Sequence, residues 1–396
     1  MDSRLRGNDK KRRGNDKKRG LQRQKKLMNK KVAIILVNYK DYAEKYLAEC
    51  FNSLKKQDYS GEMKVFITDN ESTEESYNYI KSVLGDENIT PLVRGVEIVR
   101  NKINDGFAKG NNDAMKRALG QGFPYIILFN LDTVIEIDCV RKMVEAANPP
   151  HPPLEGGQVG AVQARLMLWP DKDKINSLGN VTHFLGFGYA SGYNEKYNPL
   201  SPPCQGGVKE ICYPSGAAVL FTKEALEKVG LFDEEFWMYN EDQDLGWRLW
   251  LAGYRCVLAP DAIVYHKYEF SRSIKKYYFL DRNRIIAMLK NYRLATLVLI
   301  FPAFVLMEVG LIFFAFKNGW FYEKIKVYNY FLNLANWRKI MAERKKVQES
   351  RTVCDRKIIK MFSGRIWYQE IGETRLKVAN VIFNAYWKIV RVLIRW

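Results

Sequence analysis

Short apolar runs alternate with amphipathic segments over the first half of the chain. Val32–Val37 is an unbroken run rich in β-branched residues, the pattern of a strand buried on both faces of a parallel sheet. Tyr42–Gln57 has apolar residues at helical spacing and predicts an amphipathic helix. The same patterns predict strands at Val65–Thr68, Val96–Val99, Tyr125–Phe129, Gly160–Leu168 and within Tyr213–Phe221, and helices at Asn111–Leu119 and Lys223–Val229. This alternation predicts an α/β fold with a mostly parallel central sheet and flanking helices.

Polar residues follow three of the predicted strands. They are the pairs Asn38 with Tyr39, Asp69 with Asn70, and Asn130 with Asp132. Ligands of open α/β sheets bind outside the carboxyl ends of the strands. One polar loop there is usually a turn, but three on one sheet edge predict a binding site.

Three carboxylates, Glu241, Asp242 and Asp244, lie within four residues at the start of a further predicted helix. A structural interpretation is that acids suit a helix N-terminus and that Asp244 pairs with Arg248. It leaves unexplained the aromatic residues around them: Phe236, Trp237, Tyr239 and Trp247. Aromatic surroundings desolvate a carboxylate, which raises its pKa and makes it a better base.

Two histidines receive different interpretations. His266 ends the predicted strand of Val264-Tyr265-His266, and a strand end is a better position for a ligand than the core position that a lone histidine usually takes. His151 lies in a Pro/Gly-rich segment, residues 148–157, which predicts a surface loop or insertion. The six cysteines have no CxxC or metal-ligand spacing, which predicts reduced thiols.

Residues 28 to about 285 resemble the family 2 glycosyltransferases, and within them the rhamnosyltransferase-like branch. The resemblance is carried by segments that occur in the family's order: VAIILVNYKD, TDNES, NDGFAKGNND, NLDTVIE, YPSGAAVLF, MYNEDQDLGWR and VYH. It implies a GT-A fold (Rossmann-like) and an inverting transfer from a nucleotide sugar. The C-terminal residues 286–396 are expected to form a separate helical, membrane-associating region.

The same resemblance implies roles for individual residues. Donor-binding residues are Asn38, Tyr39, Asp69, Asn104, Gly106, Phe107 and Asn130. The expected ligands of a divalent cation, Mg²⁺ or Mn²⁺, are Asp132 and His266. Acceptor-side residues are Ser215, Gly216 and Trp237, and the expected catalytic residues are Asp242, as general base, and Glu241.

The chemistry of this assignment is coherent. A cation held by carboxylate oxygen stabilises the charge that develops on the leaving diphosphate, and a carboxylate takes the proton of the acceptor hydroxyl. Position 130 is Asn where the stricter family motif has Asp, so one charged ligand is missing. The Gln-x-x-Arg-Trp segment of processive members is not evident, which favours addition of one sugar.

Nearly half of the formal net charge of +19 lies in the first 27 residues. Residues 1–27 hold 12 Lys/Arg against 3 Asp and contain the seven-residue repeat Arg-Gly-Asn-Asp-Lys-Lys-Arg twice. With almost no apolar residue this segment is predicted to be disordered. It is either an extension before a true start at Met28, which we favour, or an arm for nucleic acid or anionic lipid.

The C-terminal third predicts membrane contact. Residues 294–316 comprise 23 positions, 19 of them Ala, Val, Ile, Leu, Met or Phe, which is long enough to span a bilayer. Residues 317–396 hold 18 Lys/Arg against 6 Asp/Glu, so spanning would place +12 opposite a cytosolic catalytic domain, against the positive-inside tendency. We therefore expect a re-entrant or interfacial segment broken at Pro302.

The last segment, residues 376–396, predicts an interfacial amphipathic helix. Its polar stripe is Lys377, Asn380, Asn384, Lys388, Arg391 and Arg395. Its apolar face is Val378, Val381, Ile382, Ala385, Ile389, Val392, Leu393 and Trp396, flanked by Tyr386 and Trp387. The alternative is that this face packs on the protein or on a second subunit.

The sequence therefore predicts a membrane-associated inverting glycosyltransferase at the cytoplasmic face of the cell membrane. On the branch resemblance the donor is dTDP-rhamnose and the acceptor a lipid-linked or cell-surface saccharide, with nucleic acid an improbable partner. The alternatives are a UDP-hexose transferase of the same fold, a non-catalytic GT-A scaffold, and a protein that binds anionic surfaces through its basic arm. A panel of donors separates the two enzymes.

Overall fold

The computed structural model describes residues 30–85, 93–148, 157–198, 208–268, 275–366 and 373–396. The basic segment 1–27, residues 149–156 of the predicted Pro-rich loop with His151, and Cys204 lie outside these residues. The five described cysteines are all free thiols, as predicted.

The strands follow the predicted order, and most are longer than their apolar runs. The larger strands are β1 (Val32–Tyr39), β2 (Met63–Asn70), β3 (Val93–Asn101), β4 (Tyr125–Phe129), β6 (Val159–Leu168), β11 (Ala218–Thr222) and β12 (Arg255–His266). The shorter strands are β5 (Thr133–Ile135), β7 (Ile175–Ser177), β8 (Asn180–Thr182), β9 (Gly188–Ala190) and β10 (Lys209–Glu210). Four of these short strands, β7 to β10, lie between β6 and β11 in the chain.

Three helices of the sheet domain begin at predicted positions, residues 42, 223 and 241; one begins at residue 106, five residues before its prediction, and two were not predicted. The helices of this domain are α1 (Tyr42–Lys55), α2 (Glu74–Leu84), α3 (Gly106–Gly120), α4 (Cys139–Ala147), α5 (Lys223–Val229) and α6 (Glu241–Leu251). The C-terminal helices are α7 (Lys275–Asn291), α8 (Leu294–Lys317), α9 (Phe321–Leu332), α10 (Leu334–Ser350), α11 (Asp355–Ile358) and α12 (Glu373–Leu393). Residue 285, the expected domain boundary, lies inside α7.

Within the described residues ten strands form one sheet in the order β10-β12-β6-β11-β4-β1-β2-β3, with β5 and β7 paired at the side, and β8 and β9 form a separate two-stranded sheet. The neighbours β4-β1-β2-β3 are parallel, and β6 is parallel to β12, whereas β11 runs antiparallel between β4 and β6. The sheet is therefore mixed but mostly parallel, as predicted.

The core lies on both faces of this sheet. Along β1, Ile34 and Leu36 join one apolar layer, whereas Ala33 and Ile35 join the other, and all four are at most 1% exposed. Successive side chains of a strand point to opposite faces, so a continuous apolar run is what a doubly covered strand requires. The C-terminal helices share the second layer, because Tyr292, Ile300 and Trp387 belong to it.

The helix α8 differs from its prediction in one respect. The sequence predicts a break at Pro302, but α8 runs through Pro302 without interruption. Proline removes one backbone hydrogen bond, and here it lies on the exposed side while Ile300, Ala303 and Met307 pack on the protein. In the described part of the chain, α8 is the one helix long and apolar enough to cross a membrane, with a mean hydropathy of 2.6.

Helix α12 is also corrected in one detail. Trp387 is expected to flank the apolar face as an anchor, but it is 2% exposed and stacks on Phe184 with ring centroids 4.7 Å apart. The reason is a third stripe, formed by Phe383, Trp387, Val390 and Ile394 at helical spacing, that packs into the core. The rest of the predicted apolar face remains exposed apart from Trp396, which is partly buried and donates from Nε1 to the Thr296 hydroxyl.

Candidate active site

The parallel register brings the predicted polar residues of β1 and β2 side by side. Asn38 pairs with Asp69, and Asp69 pairs with Arg100 on β3. One position further on, Tyr39 aligns with Asn70. Two of the three predicted strand-end clusters therefore meet at one edge, and Arg100 is a neighbour that the sequence reasoning missed.

Asp69 is fully buried and is held on both carboxylate oxygens. Asn38 Nδ2 donates to Oδ1 at 2.7 Å, Ser72 Oγ donates to Oδ2 at 2.5 Å, and Arg100 Nε lies 3.7 Å from Oδ2. The Asn38 Oδ1 accepts from the Ala43 N–H at the start of α1. Asn38 thus contacts the protein with both ends of its amide and orients Asp69, while Tyr39 leaves 38% of its surface exposed.

A second set of amides connects β2 and β3 with the start of α3. Asn101 Nδ2 donates to Asn70 Oδ1 at 2.9 Å and to Asp113 Oδ2 at 3.1 Å. Asn70 Nδ2 donates to the Gly106 carbonyl at 3.4 Å. These bonds tie the loop before α3 to the strand ends, so the predicted donor-binding loop and the sheet edge form one rigid surface.

The loop of residues 104–107 also contacts the segment before α6. Asn104 Oδ1 accepts from the Gly106 N–H at 2.9 Å, and Gly106 has a φ of +89°. A Cβ at Gly106 would lie 2.5 Å from the Trp237 carbonyl, and the Ala108 N–H donates to that same carbonyl at 3.1 Å. Glycine is required here for both its conformation and its size.

Asp132 and His266, the predicted metal ligands, come together from the end of β4 and the end of β12. His266 Nε2 lies 3.3 Å from Asp132 Oδ1, and both residues are less than a tenth exposed. On its other side His266 Nδ1 lies 3.0 Å from Asn176 Oδ1, a partner that sequence reasoning missed. Asn130 is half-buried beside them, and its N–H donates to the Ala217 carbonyl.

The Asp132–His266 pair suits a cation that takes few of its ligands from the protein. When Nδ1 donates to Asn176, the Nε2 lone pair points at the Asp132 carboxylate, and a proton or a cation between them completes the arrangement. Among the described residues no group of three or more His, Cys, Asp or Glu side chains surrounds a common point. Asp132 and His266 would therefore supply two ligands at most.

Asp242 and Glu241 form the first turn of α6. Asp242 Oδ2 accepts from the Gly216 N–H at 3.2 Å, and Oδ1 accepts from the Gln243 N–H at 2.7 Å. Burial raises the pKa of Asp242 to about 6 despite these hydrogen bonds, which favour the ionised form. Burial and the adjacent Asp242 raise the pKa of Glu241 well above its ordinary value, and Glu241 Oε2 is buried with no hydrogen-bond partner in the part of the chain that the structure describes.

Ser215 and Gly216, predicted on the acceptor side, lie between Asp242 and the donor loop. A Cβ at Gly216 would lie 3.3 Å from the Phe107 ring, so Phe107 covers this glycine directly. The Ser215 N–H donates to Oε1 of Gln163, which is fully buried on β6. The residues predicted for the donor side and for the acceptor side therefore lie in one continuous cluster.

The turn before α6 has an unusual backbone. Trp237 has φ +61° and ψ −59°, and the Met238 N–H donates to the Phe236 carbonyl at 2.7 Å, which together define a γ-turn of the rare type. Tyr239 and Asn240 also have positive φ. We call residues 236–240 the catalytic turn. Such conformations cost about 1 to 3 kcal/mol each and occur where surrounding groups enforce them.

Helix α7 enforces this conformation, and the sequence reasoning missed it. Asn283, fully buried, points Nδ2 at the carbonyls of Phe236, Met238 and Tyr239 at 2.8 to 2.9 Å. Arg282 Nη2 donates to the Glu235 and Phe236 carbonyls. The motif Asp-Arg-Asn-Arg at 281–284 is the only signal, since four polar residues inside a buried helix need partners.

Asp244 and Trp237 complete the site. Asp244 accepts from Arg248 Nε at 2.8 Å, Lys290 Nζ at 3.1 Å and Asn291 Nδ2 at 3.0 Å. Burial would raise its pKa, but these cations lower the pKa below its ordinary value, so the structural interpretation of Asp244 is confirmed. The Trp237 ring is half-buried and stacks on Phe279 with centroids 5.0 Å apart.

A family model described as glycosyl transferase family 2 matches residues 32–226, which include the strand-end residues, the donor loop, Asp132 and Gly216. The chain carries a family 2 glycosyltransferase domain. The α/β architecture described above is the GT-A fold that the sequence predicts. The carboxylates of α6 and His266 follow the matched segment and pack against it.

Two curated relatives match parts of this glycosyltransferase. It is 48% identical over 58 residues to an N-acetylglucosaminyl-diphospho-decaprenol L-rhamnosyltransferase of Mycobacterium tuberculosis, covering 15% of this chain and 19% of that protein. It is 29% identical over 160 residues to a poly-beta-1,6-N-acetyl-D-glucosamine synthase of Staphylococcus aureus, covering 40% of this chain and 34% of that protein. The chain thus matches about a third or less of either relative.

The chain also has weak similarity to solved structures. A crystal structure of GalNAc-T7 with UDP, GalNAc and Mn²⁺ covers 66% of this chain and 48% of its own, with a TM-score of 0.48 and 13% identity. The S. aureus TarS 1–349 complex with UDP covers 91% of this chain and 90% of its own, with a TM-score of 0.45 and 14% identity.

Proposed function

We propose that this glycosyltransferase transfers one sugar from a nucleotide donor to a saccharide acceptor, with inversion at the anomeric carbon and Asp242 as the base. The observation that carries the proposal is the position of Asp242. Its carboxylate is bonded to Gly216, and Gly216 packs on Phe107 of the donor loop. Gly216 alone therefore separates the proposed proton acceptor from the proposed donor loop.

The proposed step needs no enzyme nucleophile. The acceptor hydroxyl gives its proton to Asp242 and forms the new bond to the anomeric carbon. The bond from that carbon to the diphosphate oxygen breaks, and the electron pair leaves with the nucleoside diphosphate. With its pKa raised to about 6, Asp242 is mostly ionised at neutral pH and is a stronger base than an ordinary aspartate.

Asp132 and His266 are the proposed ligands of a divalent cation, Mg²⁺ or Mn²⁺. Such a cation, when bound, neutralises the charge of the diphosphate leaving group. Asn176 orients the His266 ring from behind through Nδ1. Because Asn130 brings no charge, we expect the protein to bind the metal weakly without nucleotide and more tightly with it.

For the donor we propose dTDP-rhamnose, with a UDP-hexose as the second candidate. The motif resemblance and the 58-residue similarity to a rhamnosyltransferase support the first. The 160-residue similarity to an N-acetyl-D-glucosamine polymer synthase supports the second. If Asp69 accepts a hydrogen bond from the imide N–H of the base, as we propose, this contact does not distinguish the two donors, because uracil and thymine carry the same imide N–H.

We further propose a lipid-linked or cell-surface saccharide acceptor and a location at the cytoplasmic face of the membrane. The connection between the site and the C-terminal helices supports this. Asn283 and Arg284 are consecutive residues of α7; the first binds the catalytic turn, and the second pairs with Glu308 on the apolar helix α8. An acceptor carried by lipid would therefore meet the site close to the membrane.

The test uses the full chain in mild detergent with UDP-, GDP- and dTDP-sugars, Mg²⁺ or Mn²⁺, and an extract of lipid-linked acceptors. Wild type is compared with Asp242→Asn and with the exposed control Asp261→Asn. The measurements are released nucleoside diphosphate and labelled sugar in the lipid fraction. We expect turnover with dTDP-rhamnose in wild type and control, and its loss in Asp242→Asn.

Turnover with a UDP-hexose alone would replace the proposed donor by the second candidate. Absence of both turnover and saturable donor binding would contradict the transferase function and favour the scaffold. For the metal, chelation should abolish activity, and Asp132→Asn should raise the metal concentration for half-maximal activity by about tenfold or more. Equal metal dependence in wild type and Asp132→Asn would exclude this ligand.

A further inference from the structure

Helix α8 exposes an apolar stripe along its whole length. The stripe follows steps of three and four residues: Leu294, Val298, Phe301, Val305, Val309, Phe313 and Phe316. Leu294, Phe313 and Phe316 are 69%, 71% and 76% exposed. The 24 residues extend over about 36 Å at 1.5 Å per residue. Water-exposed apolar surface of this extent indicates an interaction site.

The opposite side of α8 is fixed to the protein at both ends and in the middle. Near its start the Thr296 hydroxyl binds Asp355 and accepts from Trp396 Nε1, and near its end Ala315 is fully buried. In the middle, Glu308 pairs with Arg284 of α7 and Lys324 of α9. A helix held in this way lies along the domain surface and is not free to cross a bilayer.

The buried ionic cluster makes this attachment strong. Arg284, Lys324 and Glu308 are each at most 8% exposed, and Asp281 binds both cations. Burial would raise the pKa of Glu308, but Arg284 and Lys324 lower it to about 2. Pulling α8 away would leave these charges buried without partners, which is strongly unfavourable.

Helix α12 lies beside α8, since the Tyr386 hydroxyl donates to the Leu299 carbonyl at 2.6 Å. Away from its buried stripe it exposes Val378, Val381, Ile382, Ile389, Val392 and Leu393, between 49% and 70% each. Next to these lies an exposed basic row, Lys377, Lys388, Arg391 and Arg395. We call the exposed stripes of α8 and α12 with this row the C-terminal platform.

Charge decides which partner fits the C-terminal platform. A second copy would bring two basic rows together, and like charges across an interface are unfavourable. A bilayer with anionic lipids accepts the apolar stripes in its acyl region and the basic row at its headgroups. The excess of 18 Lys/Arg over 6 Asp/Glu in residues 317–396 points in the same direction.

We propose that α8 and α12 form a monotopic anchor that lies in the plane of one leaflet of an anionic membrane. This proposal rests on the membrane location in the proposed function and specifies how the protein lies on the membrane. It is separable from the chemistry, because binding to vesicles is measured without donor or acceptor. Asp242→Asn should bind vesicles like wild type even where it has no activity.

The first test is cosedimentation of the full chain with vesicles of phosphatidylcholine, alone or mixed with phosphatidylglycerol. We expect the double substitution Phe313→Ser with Phe316→Ser to weaken binding by about a hundredfold, because each exposed phenyl ring loses its transfer into the acyl region. The matched control is Ile137→Ser, an exposed apolar residue of the sheet domain. Equal binding of the control and the double variant would overturn the proposal.

A second pair of variants tests the charges. Lys388→Glu with Arg391→Glu should weaken binding to the anionic vesicles by about thirtyfold and should leave binding to neutral vesicles unchanged. The exposed control Lys345→Glu should have little effect. A stable dimer without lipid, dissociated by the Phe313 and Phe316 substitutions, together with no vesicle binding, would replace the membrane by a second copy.

The third test separates an in-plane anchor from a span. Single cysteines at Lys196 and Lys345, in a variant without Cys204 and Cys354, are labelled with a membrane-impermeant maleimide on sealed vesicles. Both side chains are about four-fifths exposed. An in-plane anchor leaves both on the outer side and equally reactive. Labelling of the cysteine at 345 only after vesicle lysis would show that α8 spans and would contradict the proposal.

Discussion

The donor side and the catalytic turn differ in how their polar groups are bonded. At the strand ends, Asn38, Asp69, Asn70 and Asn101 bond one another at 2.7 to 2.9 Å or bond the backbone. At the catalytic turn, three residues have positive φ, and among the described residues the buried Asn240 Oδ1 and the Oε2 of the adjacent Glu241 have no hydrogen-bond partner.

Under the proposed function, this difference separates the region that binds the donor from the region that carries the chemistry. A satisfied polar network in a low dielectric is rigid and presents one surface to a ligand. Strain and unpaired carboxylate oxygens raise the free energy of the catalytic turn and are kept where they change reactivity. Substitutions on the donor side should therefore change KM, and substitutions at the catalytic turn should change kcat.

The largest effect is expected for Asp242→Asn. An amide cannot take the acceptor proton, so kcat should fall by about 10³ to 10⁴ while donor binding is kept. Turnover and calorimetric binding of the nucleotide measure the two parts. Loss of nucleotide binding together with kcat would remove the distinction between the two regions.

Asn283→Ala comes next. Asn283 is a positioning residue, because it contacts three carbonyls of the catalytic turn and no group proposed to react. Leaving these carbonyls without a donor should cost about 2 to 3 kcal/mol in the free energy of unfolding and lower kcat by about ten- to a hundredfold. Nucleotide affinity should be unchanged.

The control for Asn283→Ala is a substitution that keeps the shape of the side chain and changes its hydrogen-bonding groups. Asn283→Asp keeps the shape but has no N–H donor when ionised, so it should behave like Asn283→Ala. The exposed Asn318→Ala should have no effect on either quantity. A normal kcat in Asn283→Asp would show that shape, not hydrogen bonding, supports the turn.

A smaller effect is expected for Tyr39→Ala on the donor side. Loss of an exposed ring that stacks on a base is worth about 1 to 3 kcal/mol, so KM for the donor should rise by about tenfold or more. The kcat should stay near wild type. Tyr322→Ala, at a 70% exposed tyrosine of α9, is the matched control. A fall in kcat alone would contradict the donor role.

The smallest effect concerns pH. Activity should fall as pH decreases through about 6, where Asp242 becomes protonated. Glu241→Gln should leave this fall in activity in place, because burial and backbone hydrogen bonds, and not the charge of Glu241, set the pKa of Asp242. The measurement is the pH dependence of the rate for wild type and for Glu241→Gln. If the fall in activity of Glu241→Gln shifts toward the ordinary pKa of aspartate, the charge of Glu241 sets the pKa of Asp242.

The two regions also differ in how far sequence patterns predicted them. The donor side follows from local patterns: apolar runs define the strands, and the polar residues after them must meet at one edge because parallel strands end together. Glu241, Asp242 and Asp244 are neighbours in the chain and share the first turn of one helix. The different bonding of Asp242 and Asp244 could not be predicted, because Gly216, Lys290 and Asn291 come from distant segments.

The C-terminal helices show the same limit. Helical spacing predicted α12 and its exposed apolar and basic stripes, but Trp387 has the composition of an interfacial anchor and is a core residue. The break at Pro302 was wrong because packing of the other helix face compensates for one lost hydrogen bond. Both outcomes depend on which face of each helix packs against the domain.

The amino-acid sequence by itself determined the order of strands and helices, the sheet edge where polar residues gather, the family and the apolar character of α8. These properties follow from side-chain periodicity and from motifs within short segments. Only the tertiary structure decided that Asn283 holds the catalytic turn, that Asn176 holds His266 beside Asp132, and that one side of α8 is bonded to the domain while the other is exposed. Each of these is a contact between distant residues, and its energy depends on burial and geometry that local patterns do not contain.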